Sequence, residues 1–298
     1  MEKDMMMLVN PAAGRSMNAQ ALGTVVSHLC RSGYQPTVYY TTHAGSAREL
    51  TIEHASQYER MICLGGDGTL SDVIAGLMEL PEEKRPPLGY IPMGTANDVA
   101  TTLGLPMRQP AKGVEHFLGG TPLPYDVGEM DTVGYFTYIT AFGAFTAVSY
   151  KTNQELKHML GHAAYVIEGL NSLTSIKSYH ARVTHDGGEL EGDFIYGAVS
   201  NALSVGGMVK MDRKLVNLND GKFELLLVHK PTAPGDTAAI VSGILAQDYS
   251  ASCLTVIQSS RVKFVFDEEV PWTRDGEDGG AHRELELRCH PCAVSIVC

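Results

Sequence analysis

Three short segments combine glycine with polar side chains in a pattern suited to holding an anion. Gly65-Gly66-Asp67-Gly68-Thr69 follows the apolar run Met61-Ile62-Cys63-Leu64. Gly94-Thr95-Ala96-Asn97-Asp98 follows a second apolar run at 86–93, and Asn10-Pro11-Ala12-Ala13-Gly14-Arg15 follows a third at 5–9. A helix that opens after such a turn offers unpaired backbone N–H groups and a positive dipole end, and glycine lets a phosphate reach the backbone. Thr69 can donate a hydroxyl. The carboxylate of Asp67 would repel a phosphate unless Mg²⁺ bridges the two or the acid positions a nucleophile. Arg15 could clamp a phosphate bidentately. Simpler readings stand beside these: Asp67 as a helix-capping acid, Asp98 in the first turn after an ordinary N-cap, and Arg15 in solvent. For 94–98 taken alone the simpler reading is the stronger.

The elements around these turns alternate. Strand patterns at 5–10, 37–42, 61–64 and 86–93 are interleaved with amphipathic helical patterns at 17–31, 46–58, 70–80 and about 96–103. Such alternation across short loops predicts a parallel sheet covered on both faces. From about residue 124 the pattern changes to short alternating runs, among them YFTYITAF, DFIYGAVS, KFELLLVHK and RVKFVF, separated by turns such as Asp186-Gly187-Gly188 and Asp220-Gly221. Helical spacing persists only near 152–171 and 233–248. The expectation is an α/β domain followed by a mostly antiparallel β-sandwich or barrel, with the site in the cleft between them.

Composition narrows the function. The 298 residues include 31 Gly and are 44% hydrophobic, which excludes disorder, collagen and coiled coil for the whole chain. Twenty-three basic and 34 acidic residues leave a net charge of -11, which argues against nucleic acid as a partner. The six cysteines are scattered apart from Cys289 and Cys292, the pattern of a reducing cytoplasm. The apolar N-terminal run is too short for a signal-peptide core, and the uncharged stretch 132–150 alternates like strands, so neither predicts a membrane span. No G-x-x-x-x-G-K-[ST] or helix-opening G-x-G-x-x-G occurs, which disfavours a P-loop enzyme and a standard dinucleotide-binding oxidoreductase.

In this order and at these separations, Asn10-Pro11…Gly14, Gly65-Gly66-Asp67-Gly68-Thr69 and Pro92-Met93-Gly94-Thr95-Ala96-Asn97-Asp98 resemble the three signatures of the diacylglycerol kinase catalytic-domain superfamily, and the chain resembles its soluble bacterial lipid kinases. The likeness runs on through Asp126-Val127-Gly128, Asn201 with Gly206-Gly207, Asn219-Asp220-Gly221 and Asp275-Gly276-Glu277. The resemblance implies a nucleotide-binding α/β domain, similar to those of NAD kinases and phosphofructokinases, over 1–125. It would be completed by the final strands at about 284–298, with a β-sandwich over 126–283. It also implies transfer of the γ-phosphate of ATP to a lipid hydroxyl, diacylglycerol first, with another long-chain or sphingoid alcohol as the alternative. A soluble-alcohol kinase acting on NAD and a nucleotide-binding regulator without catalysis rank below these.

By the same resemblance, Asn10, Thr41, Gly65, Gly66, Asp67, Gly68, Thr69, Leu70, Ser71, Gly94, Thr95 and Asn97 would bind the nucleotide, with Asp67 near its phosphates and Mg²⁺. Glu277 would be the catalytic base, oriented or relayed by Asp67 and Asp126. Asp220, with the carbonyls of Asn217 and Lys222, would hold a structural Mg²⁺. The expected partners are a lipid alcohol and the surface of a membrane, the protein being cytoplasmic and peripheral, with homodimerisation left open. A basic face from Lys151, Lys157, Lys177, Lys210, Arg213 and Lys214 would meet that surface. One departure is Ser71-Asp72, where the family carries Asn-Glu. Cys289-His290-Pro291-Cys292 lacks the second ligand pair of a zinc site and is expected to be ordinary strand or turn. His158 and His162 read as surface histidines, Asp267-Glu268-Glu269 as a solvated edge, and Met5–Met7 as buried strand.

Overall fold

The computed structural model describes residues 3–13, 19–144, 176–205, 209–211, 213–233 and 235–298. Gly14, Arg15, Gly206, Gly207, Lys151, Lys157, His158, His162, the helical pattern at 152–171 and the side chain of Lys210 lie outside them.

Strand β1 (Lys3–Val9) shows why the first half forms a buried sheet. Met5, Met7 and Val9 join one cluster and Met6 and Leu8 another, so successive side chains enter cores on opposite faces. A strand covered on both sides needs an unbroken apolar run, and MMMLV supplies it. It pairs in parallel with β2 (Tyr34–Tyr40) and β3 (Met61–Gly65), and β3 pairs in parallel with β4 (Leu88–Pro92). Helices α1 (Ala19–Arg31) and α5 (Pro110–Gly119) cover one face, burying Val25, Leu29, Val114 and Phe117. Helices α2 (Ser46–His54) and α3 (Asp67–Met78) cover the other, burying Ala47, Leu70, Val73 and Leu77. Helix α4 (Asp98–Leu103) closes the 94–98 loop.

The second half is antiparallel. Strands β5 (Pro122–Met130), β6 (Gly134–Phe136), β7 (Ile139–Gly143), β8 (Tyr179–His185), β9 (Gly188–Ser200), a short pair β10 (Ser204–Val205) and β11 (Val209–Lys210), β12 (Phe223–His229), β13 (Leu254–Ser259), β14 (Arg261–Arg274) and β15 (Glu277–Val297) are joined by one described helix, α6 (Asp236–Ala246). Alternation again divides the side chains. Leu225 and Leu227 of β12 face an aromatic core with Phe142, Phe264, Phe266 and Trp272, whereas Leu226 and Val228 face the cluster that also holds Leu70 and Tyr90. That second cluster spans both halves of the chain.

Two long, irregular strands connect the halves. The register of β14 against β15 shifts between Val265 and Val270, which lets β14 pair with β8 before the irregularity and with β7 after it. β15 runs beside β5 and ends with Ile296 paired in parallel to Leu88 of β4. The backbones of Thr121 and Cys298 exchange two hydrogen bonds. The last residues of the chain are thus hydrogen-bonded into the first half. Among the described residues, no helix is long and apolar enough to cross a membrane.

Candidate active site

The glycine turns are built by close backbone contact. A Cβ on Gly94 would lie 2.7 Å from the Cα of Gly66 and 2.8 Å from Oδ1 of Asn97, so the second and third turns meet glycine to glycine. Asn97 is fully buried at φ 55°, with Nδ2 donating to the Gly94 carbonyl at 2.9 Å and Oδ1 accepting from the Tyr90 hydroxyl at 3.3 Å. A left-handed residue cannot continue a helix, which is why α4 begins at Asp98 rather than at 96. Arg108, absent from the sequence-based set, donates to the carbonyls of Gly94 and Thr95 at 3.1 and 2.7 Å. Asn10 donates to Oγ1 of Thr69 at 2.8 Å and ties the first turn to the second.

Asp67 is already helical. Gly66 is the extended N-cap of α3, so the helix starts three residues before the expected Leu70 and ends at Met78 rather than at Leu80. The Asp67 carboxylate reaches across to the next helix, accepting from the backbone N–H of Asp98 at 3.1 Å and of Val99 at 3.4 Å. Burial, helped by the charge of Asp98, pushes its pKa up to about 6 against the opposing pull of those N–H groups.

Two cavities meet at one wall. The first, of about 570 Å³, is lined by Asn10, Thr41, Gly66, Gly68 and Thr69 of the expected nucleotide set. Gly65, Asp67, Leu70, Gly94, Thr95 and Asn97 do not line it, and Leu70 is wholly buried in the core. The second, of about 300 Å³, is lined by Ser71, Ala75, Tyr135 and Arg274 among others. Gly45, Gly68, Asp72 and Glu277 line both. The Glu277 carboxylate sits over the first turn of α3, where a Cβ on Gly68 would be 3.6 Å from Oε1.

Asp275 fixes that position. Its buried carboxylate accepts the backbone N–H groups of Thr137, Tyr138 and Ile139 at 2.7, 3.0 and 3.1 Å and the Ser71 hydroxyl at 2.8 Å. Asp275 and Gly276 then turn through φ 49° and 85° and deliver Glu277 at the start of β15. Ser71, expected at the nucleotide, spends its hydroxyl on this anchor.

Asp126 serves a different loop. One oxygen accepts from Gly221 N–H and the other from Cys292 N–H, both at 2.7 Å, while its backbone N–H donates to the Leu218 carbonyl at 2.8 Å. It therefore clamps the segment that carries Asn217, Asp220 and Lys222. Among the described residues no hydrogen bond joins Glu277 to Asp67 or to Asp126, so the three expected catalytic acids are not one hydrogen-bonded group. Asp220 accepts the Lys222 N–H at 3.0 Å. Glu224, two residues further on, is buried with Oε2 unpartnered among the described residues, and burial raises its pKa to about 8, with the charges of Asp220 and Asp126 adding to it. Oxygen-only donors beside an unsatisfied buried carboxyl suit a hard divalent cation, although no cluster of three or more His, Cys, Asp or Glu occurs among the described residues. A lone acid in the apolar run FELLLV was the only signal for Glu224.

Cys289 precedes and Cys292 lies within the register irregularity of β15 between His290 and Val294, and Cys292 contacts the Asn219 carbonyl at 3.7 Å. Lys177 pairs with Glu268 at 2.6 Å, while Arg213 and Lys214 are exposed.

Residues 4–130 match the diacylglycerol kinase catalytic domain. The diacylglycerol kinase of Bacillus subtilis (strain 168) is 31% identical over 274 residues, covering 92% of this chain and 89% of the relative. The chain belongs to the diacylglycerol kinase family. A diacylglycerol kinase of Staphylococcus carnosus (strain TM300) is also 31% identical, over 94% of this chain and 90% of its own. A crystal structure of a putative diacylglycerol kinase from Bacillus anthracis str. Sterne, 24% identical, superposes with a TM-score of 0.82 over 99% of this chain and 96% of that one, a likeness of fold. As a family member the chain is a kinase acting on a lipid alcohol, with ATP the phosphate donor the family implies.

Proposed function

We propose that the protein transfers the γ-phosphate of ATP to the hydroxyl of diacylglycerol, forming phosphatidic acid. The observation that carries this reading is the placing of Glu277, on the wall shared by two cavities and with no hydrogen bond or ion pair to its carboxylate among the described residues. ATP occupies the larger cavity, its phosphates against Gly66, Gly68, Thr69 and Asn10, with Thr41 on the far side. Gly65, Leu70, Gly94, Thr95 and Asn97 act behind this surface by holding the turns in shape. Glu277 accepts the proton of the lipid hydroxyl as its oxygen attacks the γ-phosphorus. The bond from that phosphorus to the β,γ-bridging oxygen breaks, and ADP leaves. Little covalent help is needed: alignment, charge neutralisation and one base account for the chemistry.

Mg²⁺, when bound, neutralises the developing phosphate charge. Asp67 would hold it near the phosphates, each of its oxygens keeping a lone pair beyond the backbone N–H it accepts. Asp220, with the carbonyls of Asn217 and Lys222, would hold a second ion. Asp126 positions that loop rather than the base. The nucleotide-binding part comprises residues 1–125 with the end of β15, in an NAD-kinase-like arrangement, and 126–283 form the second domain. The enzyme works from the cytoplasm at the membrane surface where its substrate resides.

The test is product analysis in mixed micelles of diacylglycerol with γ-labelled ATP, with and without a chelator. Labelled phosphatidic acid that disappears on chelation is expected. Label on another lipid alcohol but not on diacylglycerol would overturn the substrate assignment, and undiminished labelling without divalent metal would overturn the metal.

A further inference from the structure

We infer that the hydroxyl of Tyr138 is a substrate contact: it donates a hydrogen bond to the alcohol oxygen of the acceptor and holds that oxygen between Glu277 and the γ-phosphate. This rests on the kinase reading above and adds to it a residue from the second half of the chain.

Tyr138 lies between β6 and β7, at a position the core would otherwise give to an apolar side chain. It is 6% exposed and belongs to the cluster that also holds Leu70 and Tyr90. Both of its backbone groups are committed. The N–H donates to Asp275 at 3.0 Å, and the carbonyl accepts the N–H of Asn201 at 2.9 Å. The ring is therefore placed from two sides before any ligand arrives. Its hydroxyl is not committed. A buried tyrosine usually spends its O–H on a partner, yet no described residue hydrogen-bonds to this one.

The hydroxyl sits against the turn that delivers the base. A Cβ on Gly276 would lie 3.7 Å from it, one residue before Glu277. Burial and the carboxylates of Asp275, Asp67, Asp98 and Glu277 push the phenol well above its ordinary pKa, so at neutral pH it keeps its proton. Those acids come from both halves of the chain, which sets the hydroxyl at their junction. Tyr138 lines neither of the two cavities, and the phosphates of ATP rest on the glycine turns of the first half. In-line transfer puts the attacking oxygen on the side of the γ-phosphorus away from ADP, and Tyr138 reaches the junction from the second half. An alcohol oxygen there has two lone pairs and one proton. One lone pair accepts from Tyr138 and the other forms the bond to phosphorus. The proton passes to Glu277 as the bond from phosphorus to the bridging oxygen breaks. Tyr138 thus orients the nucleophile and takes no part in proton transfer.

Tyr138→Phe removes one oxygen and nothing else. In this variant kcat/KM for dioctanoylglycerol should fall about fivefold to twentyfold, the scale of one lost hydrogen bond, and calorimetric binding of dioctanoylglycerol should weaken, while ATP affinity stays within about twofold. A buried hydroxyl without a protein partner contributes nothing to folding, so the variant should unfold at a urea concentration no lower than wild type. Tyr90→Phe is the contrast: its hydroxyl is spent on Asn97 at 3.3 Å, and its loss should lower the midpoint. Unchanged kcat/KM and unchanged lipid binding in Tyr138→Phe would overturn the inference, as would a change confined to ATP. A lower urea midpoint accompanying the loss would make Tyr138 a packing residue and overturn it too. Wild-type protein that fails to bind dioctanoylglycerol would do the same. Lipid binding weakened in Tyr138→Phe, with no transfer by wild type, would keep the contact and refute the kinase reading.

Discussion

Replacing Asp275 by Asn tests the link between fold and site, because the exchange keeps shape and removes only charge and one acceptor. Asn tolerates the positive φ of 49° at this position, so backbone strain does not confuse the result. In the native protein one oxygen accepts from Thr137 N–H and the Ser71 hydroxyl, the other from Tyr138 and Ile139 N–H. An amide can keep one pair; its NH₂ must face the other. If the Tyr138 and Ile139 pair is kept, a buried Thr137 N–H is left opposing a donor, at a cost of about 1–3 kcal/mol, and the two retained bonds lose their charge assistance, about 1 kcal/mol each. Burial already raises the pKa of Asp275, so relief of that desolvation returns part of the loss. The net expectation is about 3 kcal/mol of destabilisation. Ser71→Ala removes one of the four bonds and should cost about 1 kcal/mol. Because both substitutions break the same contact, the double variant should depart from additivity by at least about 0.5 kcal/mol. Urea unfolding followed by circular dichroism measures all three. An Asp275→Asn protein as stable as wild type, or strict additivity in the cycle, would refute the anchoring argument.

Two further substitutions probe the turns and the buried acid. Gly94→Ala forces a Cβ to 2.7 Å from the Gly66 backbone, whereas Gly66→Ala places one at 3.3 Å from Gly94; the first should cost about 1–3 kcal/mol more than the second in urea unfolding and abolish nucleotide binding in calorimetry. Glu224, with a folded pKa of about 8 against an ordinary 4.5, binds more protons in the folded state than in the unfolded one. Wild-type stability should therefore fall as pH rises through that window and level off above it. Glu224→Gln should lack this fall and be the more stable protein at pH 8.5, by an amount bounded at about 5 kcal/mol. Parallel stability–pH curves for the two proteins would show that Glu224 is not held neutral.

The strands of the first half were legible because a sheet covered on both faces requires unbroken apolar runs such as MMMLV and MICL. Helix α5 was not foreseen: its sequence, PAKGVEHFLG, carries two glycines that dilute the helical pattern, and the proline that could have announced it sits at its first turn. The starts of α3 and α4 were misplaced because they depend on backbone angles, extended at Gly66 and left-handed at Asn97, that composition does not encode. The continuous hydrogen bonding of the halves was visible only as an implication of the family likeness, since Ile296 and Leu88 meet across two hundred residues of chain. In the site, the acids announced themselves by type and motif, but their partners did not. Ser71 and Asp67 were read for the nucleotide and its metal, and the structure adds that they also hold Asp275 and α4, while the partners of Arg108 and Arg274 became visible only in the fold.

The central claim is that Glu277, exposed to both cavities, takes the proton of the acceptor. Single-turnover transfer of labelled phosphate to dioctanoylglycerol should be at least about 100-fold slower in Glu277→Gln than in wild type, the scale of a lost general base, while ATP affinity measured by calorimetry stays unchanged. Transfer at the wild-type rate with ATP bound normally would remove Glu277 from the chemistry and contradict the account.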